Sequence, residues 1–152
     1  MSGTLTTTIS ESLTLNGATR GGTNVISTAN IVDVFERILT CTHTNTTTIA
    51  TFASTPHASA GVTNLDVENT KYIRVTNLST TEDIKLALIT TNTNYQVTIR
   101  AGGSHILFQA EEGAIGEIDT TPAFGTLEDI TKIEVRPSAS TDVQVEIFVA
   151  LV

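Results

Sequence analysis

The chain has no Trp, one Cys, one Met and three Pro among its 152 residues, and aromatic residues make up only 5% of it. Each shortage removes a class of explanation. A single thiol, Cys41, cannot form an intramolecular disulfide, so no disulfide framework holds the fold. With no Trp, and with Tyr72 and Tyr95 as its two tyrosines, the chain is poor in the aromatic platforms that sugar-binding clefts use. No apolar run reaches membrane-spanning length. The opening Met1-Ser2-Gly3-Thr4 has neither the basic nor the apolar region of a secretory signal, so a soluble protein made in the cytoplasm, or a mature chain freed of its leader, is expected. Basic side chains are scarce too. Eight Lys and Arg against sixteen Asp and Glu give a net charge of −8. Such a surface repels phosphates and anionic lipid, so neither nucleic acid nor membrane is an expected partner.

Thr is what the chain has in plenty, at about one residue in five. Its β-branched side chain fits a pleated sheet better than a helix. The hydrophobic content of 39% must build a core from Ile, Leu, Val and Ala. These residues alternate with polar ones at a period of two, the rhythm of a half-buried strand. At the C-terminus Val143, Val145, Ile147, Val149 and Leu151 share one face. Asp142, Gln144, Glu146, Phe148 and Ala150 share the other, where Phe148 is expected to cover a neighbour or a partner. Strands are likewise predicted at 72–76, 84–88, 95–100, 106–108 and 132–136, with turn-forming clusters between them. The span from Lys71 to Gln109 reads as a four-stranded meander. Leu5–Ile9 and Leu13–Leu15 read as strands ahead of an Asn16-Gly17 turn, and Thr46–Ala53 as another. Ile31–Thr42 fits strand better than helix. Between Ala110 and Asp129 the pattern fades into a long loop, a kind of segment that often meets a partner. Eight to ten short strands with frequent turns predict an all-β chain, a single antiparallel β-sandwich over 1–152 with a jelly-roll-like arrangement.

Chemistry-bearing residues are few. Cys41-Thr42-His43 would place a thiol and an imidazole on one strand face, but about 7 Å apart, too far for a nucleophile–base pair. A structural zinc site needs four ligands, and His57 and His105 lie far off in the sequence. Carboxylates cluster at Asp66 and Glu68, Glu82-Asp83, Glu111-Glu112, Glu117 with Asp119, and Glu128-Asp129. The Glu111–Asp119 stretch is the best calcium candidate, yet no EF-hand spacing appears, and solvated loop charge is the simpler reading. There is no Walker loop, dinucleotide fingerprint or nucleophile elbow. No catalytic, cofactor or metal residue is assigned, and no enzyme is expected.

Three strings carry a resemblance. They are Gly3-Thr4-Leu5-Thr6 with Leu13-Thr14-Leu15-Asn16-Gly17, then Lys71-Tyr72-Ile73-Arg74-Val75-Thr76-Asn77-Leu78, and Gly102-Gly103-Ser104 leading to Ile106-Leu107-Phe108. The chain resembles small virion proteins of tailed bacteriophages. The resemblance implies a coat component assembled in the host cytoplasm: a capsid cement or decoration protein, or a tail or fibre piece. Its partners would be the major capsid protein or other virion proteins, and copies of itself, with a trimer expected first. The arm Met1–Ile9 would add a strand to a neighbour, and the 110–129 loop would supply a second contact. A receptor- or glycan-binding module is the alternative. A cupin-like metal site on His43, His57 and His105 is the third reading.

Overall fold

Val143, Val145, Ile147, Val149 and Leu151 are all buried, and they form the inner face of a central strand, β15 (Val143–Leu151). The computed structural model describes residues 1–56, 64–115 and 125–152, with Ile115 described by its backbone alone. The described chain contains strands and no helix. Its elements are β1 (Gly3–Ser10), β2 (Leu13–Leu15), β3 (Ala18–Arg20), β4 (Thr23–Ile31), β5 (Asp33–Cys41), β6 (Thr47–Ala53), β7 (Leu65–Asp66) and β8 (Thr70–Asn77). They continue with β9 (Ile84–Ile89), β10 (Asn94–Ile99), β11 (Ser104–Leu107), β12 (Ala114–Ile115), β13 (Leu127–Glu128) and β14 (Lys132–Pro137), ahead of β15.

Two larger sheets carry the core, one in the order β11-β8-β15-β5 and the other β10-β9-β14-β6-β7. All pairings are antiparallel except β6 with β7. Both sheets present alternate residues to one shared cluster: Ile73, Val75, Val145 and Ile147 from the first, Ile84, Leu86, Leu88, Ile133 and Val135 from the second. Every one of these is at most 2% exposed, so the period-two pattern is satisfied on both sides of a β-sandwich. The run 31–42, where helix and strand both fitted, is strand: β5 pairs with β15 without a bulge from Cys41↔Val143 to Asp33↔Leu151.

The stretch 71–109 does hold four strands, but they are not a meander. β9 and β10 pair as a hairpin in one sheet, while β8 and β11 pair in the other. The connections 77–84 and 99–104 therefore cross between sheets. Asn77 explains why. Its fully buried side chain donates from Nδ2 to the carbonyls of Glu82 (2.7 Å) and Ile99 (3.3 Å), while Oδ1 accepts from the Ser79 N–H (3.0 Å). Its own N–H donates to the Gly103 carbonyl (2.9 Å). One amide thus ties both crossings together, a role that turn propensity alone does not reveal.

Phe148, the apolar exception on the outer face of β15, covers a neighbour within the chain. It meets Tyr72 edge to face at 6.0 Å, and Tyr72 meets Phe108 at 5.8 Å. Beside them Arg74 forms a two-pronged ion pair with Glu146 (3.1 Å on each prong), and this pairing holds the guanidinium pKa above its ordinary value. Leu5 and Ile31 pack onto this second cluster and anchor the N-terminal segment to the sandwich.

Candidate interaction surface

The N-terminal segment is the part of the chain least explained by folding. Residues 3–31 leave the sandwich as a two-stranded ribbon. β1 pairs with β4 from Gly3↔Ile31 to Ser10↔Thr23, and β2 with β3 continues it to the tip. The segment expected as a single arm, Met1–Ile9, is thus one leg of a longer ribbon. Its turn residues dictate this. Asn16 (φ 51°) and Gly17 (φ 77°) both take the left-handed conformation that a two-residue hairpin turn demands. Gly21 has φ 117°, and a Cβ there would come within 2.1 Å of the Glu11 carbonyl oxygen. The Glu11 N–H in turn donates to the Gly22 carbonyl (2.9 Å), so the two legs stay joined across the Gly21-Gly22 kink.

Among the described residues the legs pair only with each other. At about 3.4 Å per residue the ribbon reaches roughly 40 Å. It carries one negative and one positive side chain, Glu11 and Arg20, in a protein of net charge −8. It also leaves apolar side chains in water: Leu13 (57% exposed), Leu15 (55%) and Val25 (57%). Leu13 and Leu15 lie on the same face of the tip. A two-stranded hairpin without a third strand or a covering layer is marginal in water, and a nearly charge-free ribbon with exposed Leu and Val is a surface suited to burial against a partner.

No family model, curated protein or solved structure matches the chain.

The residues weighed for chemistry are placed apart. Cys41 is completely buried on the inner face of β5, and burial pushes its thiol pKa up. His43 sits beyond the strand end, in the turn after β5, so the two do not share a strand face. Its partner is Asp142, which accepts from the His43 backbone N–H (2.9 Å) and contacts Nδ1 (2.8 Å). That backbone bond, and then the imidazole, holds the Asp142 carboxyl below its ordinary range. His57 lies outside the described residues, as do Glu117 and Asp119. Among the described residues no group of three or more His, Cys, Asp and Glu side chains could hold a metal ion.

Four of the other acids serve turns. Asp66 accepts from the N–H groups of Glu68 and Asn69 (3.1 and 3.3 Å), and Asp83 from the Ala101 N–H (3.1 Å). Asp129 accepts from the Glu112 N–H (2.9 Å), and Glu128 from Asn92. Hydrogen bonds from the Thr90 side chain and from Asn92 lower the Glu128 pKa. The described base of the 110–129 loop is closed by β12 pairing with β13 and by the Ile130 N–H on the Ala110 carbonyl (2.9 Å).

An open groove of about 840 Å³ runs over the outer face of β9, β10 and β14. Lys85 and Arg136 lie directly opposite one another on adjacent strands there, and both are exposed. Neither has an ion-pair partner among the described residues. This is a cationic spot on an anionic molecule.

His105 lies on the inner side of β11, with the Tyr95 ring 6.2 Å away. Its Nε2 is buried and has no hydrogen-bond partner among the described residues. Burial disfavours the imidazolium and lowers the pKa from 6.5. A pKa lowered on folding makes the unfolded chain bind more protons below pH 6.5, so stability present above that pH is lost as the pH falls through it. His105→Leu is expected to remove this slope and to add about 1 kcal/mol at pH 7 by deleting an unpaired polar atom. Thermal unfolding at pH 7 and pH 5 measures both effects.

Proposed function

We propose that the chain is a structural component of a tailed-bacteriophage virion, a capsid cement or decoration protein that stabilises the shell through protein–protein contacts. The observation that carries this reading is the 3–31 ribbon: a projecting, nearly charge-free element with exposed Leu13, Leu15 and Val25, which none of the described residues covers. In this reading the ribbon is the clamp and the sandwich is the rigid body that aims it. The partner is the major capsid protein or a neighbouring virion protein, and the working location is the virion. Chemistry is not required of any residue.

Two further points support the reading. From β5 onward, six of the seven links between consecutive long strands cross between the sheets; the link from β9 to β10 alone stays within one. We read that wrapping, β11-β8-β15-β5 facing β10-β9-β14-β6, as a jelly roll, an arrangement used by viral capsid domains and also by lectins and cupins. Since fold alone does not assign function, the weight stays on the ribbon. The second point is the resemblance to small phage virion proteins noted above.

The test uses the double variant Leu13→Glu, Leu15→Glu, whose exposed positions leave the sandwich intact. Purified wild-type protein is expected to bind particles lacking it and to raise their resistance to heat or osmotic shock. The variant should lose that binding about 100-fold, as removal of two anchoring side chains does at an interface. Wild-type protein that leaves such particles untouched would end this reading. The groove beside Lys85 and Arg136 favours one second reading, a tail or fibre module that binds an acidic glycan. In that case Arg136→Glu would abolish attachment to cells, and the ribbon variant would not.

A further inference from the structure

Among the described residues, the longest sheet edge of the sandwich without a second partner is β5, nine residues paired on one side only, to β15. The other exposed edges are shorter: β10 has six residues, β11 four and β7 two. Natural edges are usually blunted by charged side chains, Pro or a bulge; β5 has no Pro and no bulge, and its charges, Asp33, Glu36 and Arg37, are mixed in sign. Instead it exposes Val34 (46%) and Ile38 (63%), with Val32 (63%) just before it.

The hydrogen-bond direction of this edge follows from β15. The Gln144 carbonyl accepts from Leu78, so even-numbered residues of β15 face β8 and odd-numbered ones face β5. Their partners on β5 are Asp33, Phe35, Arg37, Leu39 and Cys41. The N–H and C=O groups of Val34, Glu36, Ile38 and Thr40 therefore point off the sheet. Asp33 covers one of them, its Oδ1 accepting from the Val34 N–H (2.8 Å).

We infer that β5 pairs with β5 of a second copy of this chain, antiparallel about a two-fold axis at Phe35. Charge selects the register. Side chains opposite one another must lie on one face, so Glu36 never meets Arg37 of the second copy. An axis at Glu36 sets Glu36 against Glu36, and an axis at Arg37 sets Arg37 against Arg37. The axis at Phe35 alone sets Asp33 against Arg37 of the second copy, twice by symmetry. It also sets Val34 against Glu36, and brings Val32, just outside β5 with its N–H on the Leu151 carbonyl (2.9 Å), near Ile38. The Val34 and Glu36 backbones then exchange four hydrogen bonds across the axis. The bond to Val34 frees Asp33 for Arg37 of the second copy at a closely spaced, non-hydrogen-bonded position. Neither Asp33 nor Arg37 has an ion-pair partner among the described residues of its own chain; Arg37 lies over the Phe35 ring at 4.8 Å.

The paired stretch, Asp33 to Arg37 on each copy, is about 17 Å long, which makes a contact smaller than a permanent dimer interface and one that dissociates on dilution. It has two-fold symmetry, not the three-fold first expected from the sequence. It uses β5 and not the ribbon, so it stands or falls apart from the virion reading.

Sedimentation velocity of the full chain over a wide concentration range is the test. Wild type is expected to dimerise as concentration rises, and less so at high salt. Asp33→Arg and Arg37→Asp, each creating two like-charge pairs, should weaken the dimer about tenfold or more. The double variant Asp33→Arg, Arg37→Asp should return to within about threefold of wild type. Glu36→Pro removes only an outward N–H, so circular dichroism should stay native while the dimer is lost. A monomer at all concentrations, single reversals without effect, or a double variant as weak as the singles would overturn the pairing.

Discussion

Asn77→Ala is expected to lower the unfolding free energy by about 3–5 kcal/mol, and Tm by about 10 °C, more than any surface change in this chain. The substitution deletes three hydrogen bonds and, more costly, strands the Glu82 and Ile99 carbonyls that the amide serves. The site is fully buried, so water replaces the lost donor only if the structure opens. Both connections held by Asn77 carry the chain from one sheet to the other, so the damage extends to the docking of the β9–β10 hairpin. Ser79→Ala is the control. Its Oγ accepts from Thr81 and Glu82 in a more exposed setting, and its loss should cost about 1 kcal/mol. Denaturant titration of the two variants decides the matter: equal, small losses would show that Asn77 is no more than a turn residue.

Asn77 also marks the limit of what the sequence discloses. The strands were legible because Val, Ile and Leu alternate with Thr and charged residues. That rhythm identified β15, β8, β9 and β14, and the inward face of β15 residue by residue; at β11 it pointed to Ile106 and Phe108, whereas His105 and Leu107 face inward. Pairing was not legible in the same way. Asn77–Thr81 and Ala101–Ser104 have the composition of hairpin turns, and a hairpin and a sheet crossing use the same Gly, Asn and Ser residues. The difference lies in where a buried amide finds its acceptors, which are set by tertiary contacts at 22 residues' separation for Ile99. The interaction surface was half legible. The Asn16-Gly17 turn and the flanking strands were plain. Their extension into a 29-residue ribbon spanning Gly3–Ile31 was hidden, because β4 reads as Thr, Asn, Val, Ile and Ser with no clean alternation. A strand with neither face in a core has no pattern to impose. Cys41 and His43 failed as a pair for a related reason: the strand ends between them, and period two no longer applies.

Hydrogen exchange is the sharpest probe of the ribbon. Amides of Thr6–Ile9 and Val25–Ser27 are expected to exchange at least about 1000-fold faster in the free protein than those of Val145–Val149. The difference arises from how each segment opens. Unpairing β15 exposes Val145, Ile147 and Val149, which lie in the main core, so its amides open only with the whole domain. Unpairing the outer ribbon breaks a ladder already surrounded by water and exposes little further apolar surface, so it opens locally at low free energy. Leu5 and Ile31, packed on Tyr72 and Ala150, should keep the root protected and confine fast exchange to the part beyond them. A partner seated on Leu13, Leu15 and Val25 removes that local opening, so protection of the ribbon should rise on assembly while that of β15 barely changes. Ribbon amides as slow as those of β15 in the isolated chain would mean that the element already has all the support it needs. The case for a missing partner would then be lost.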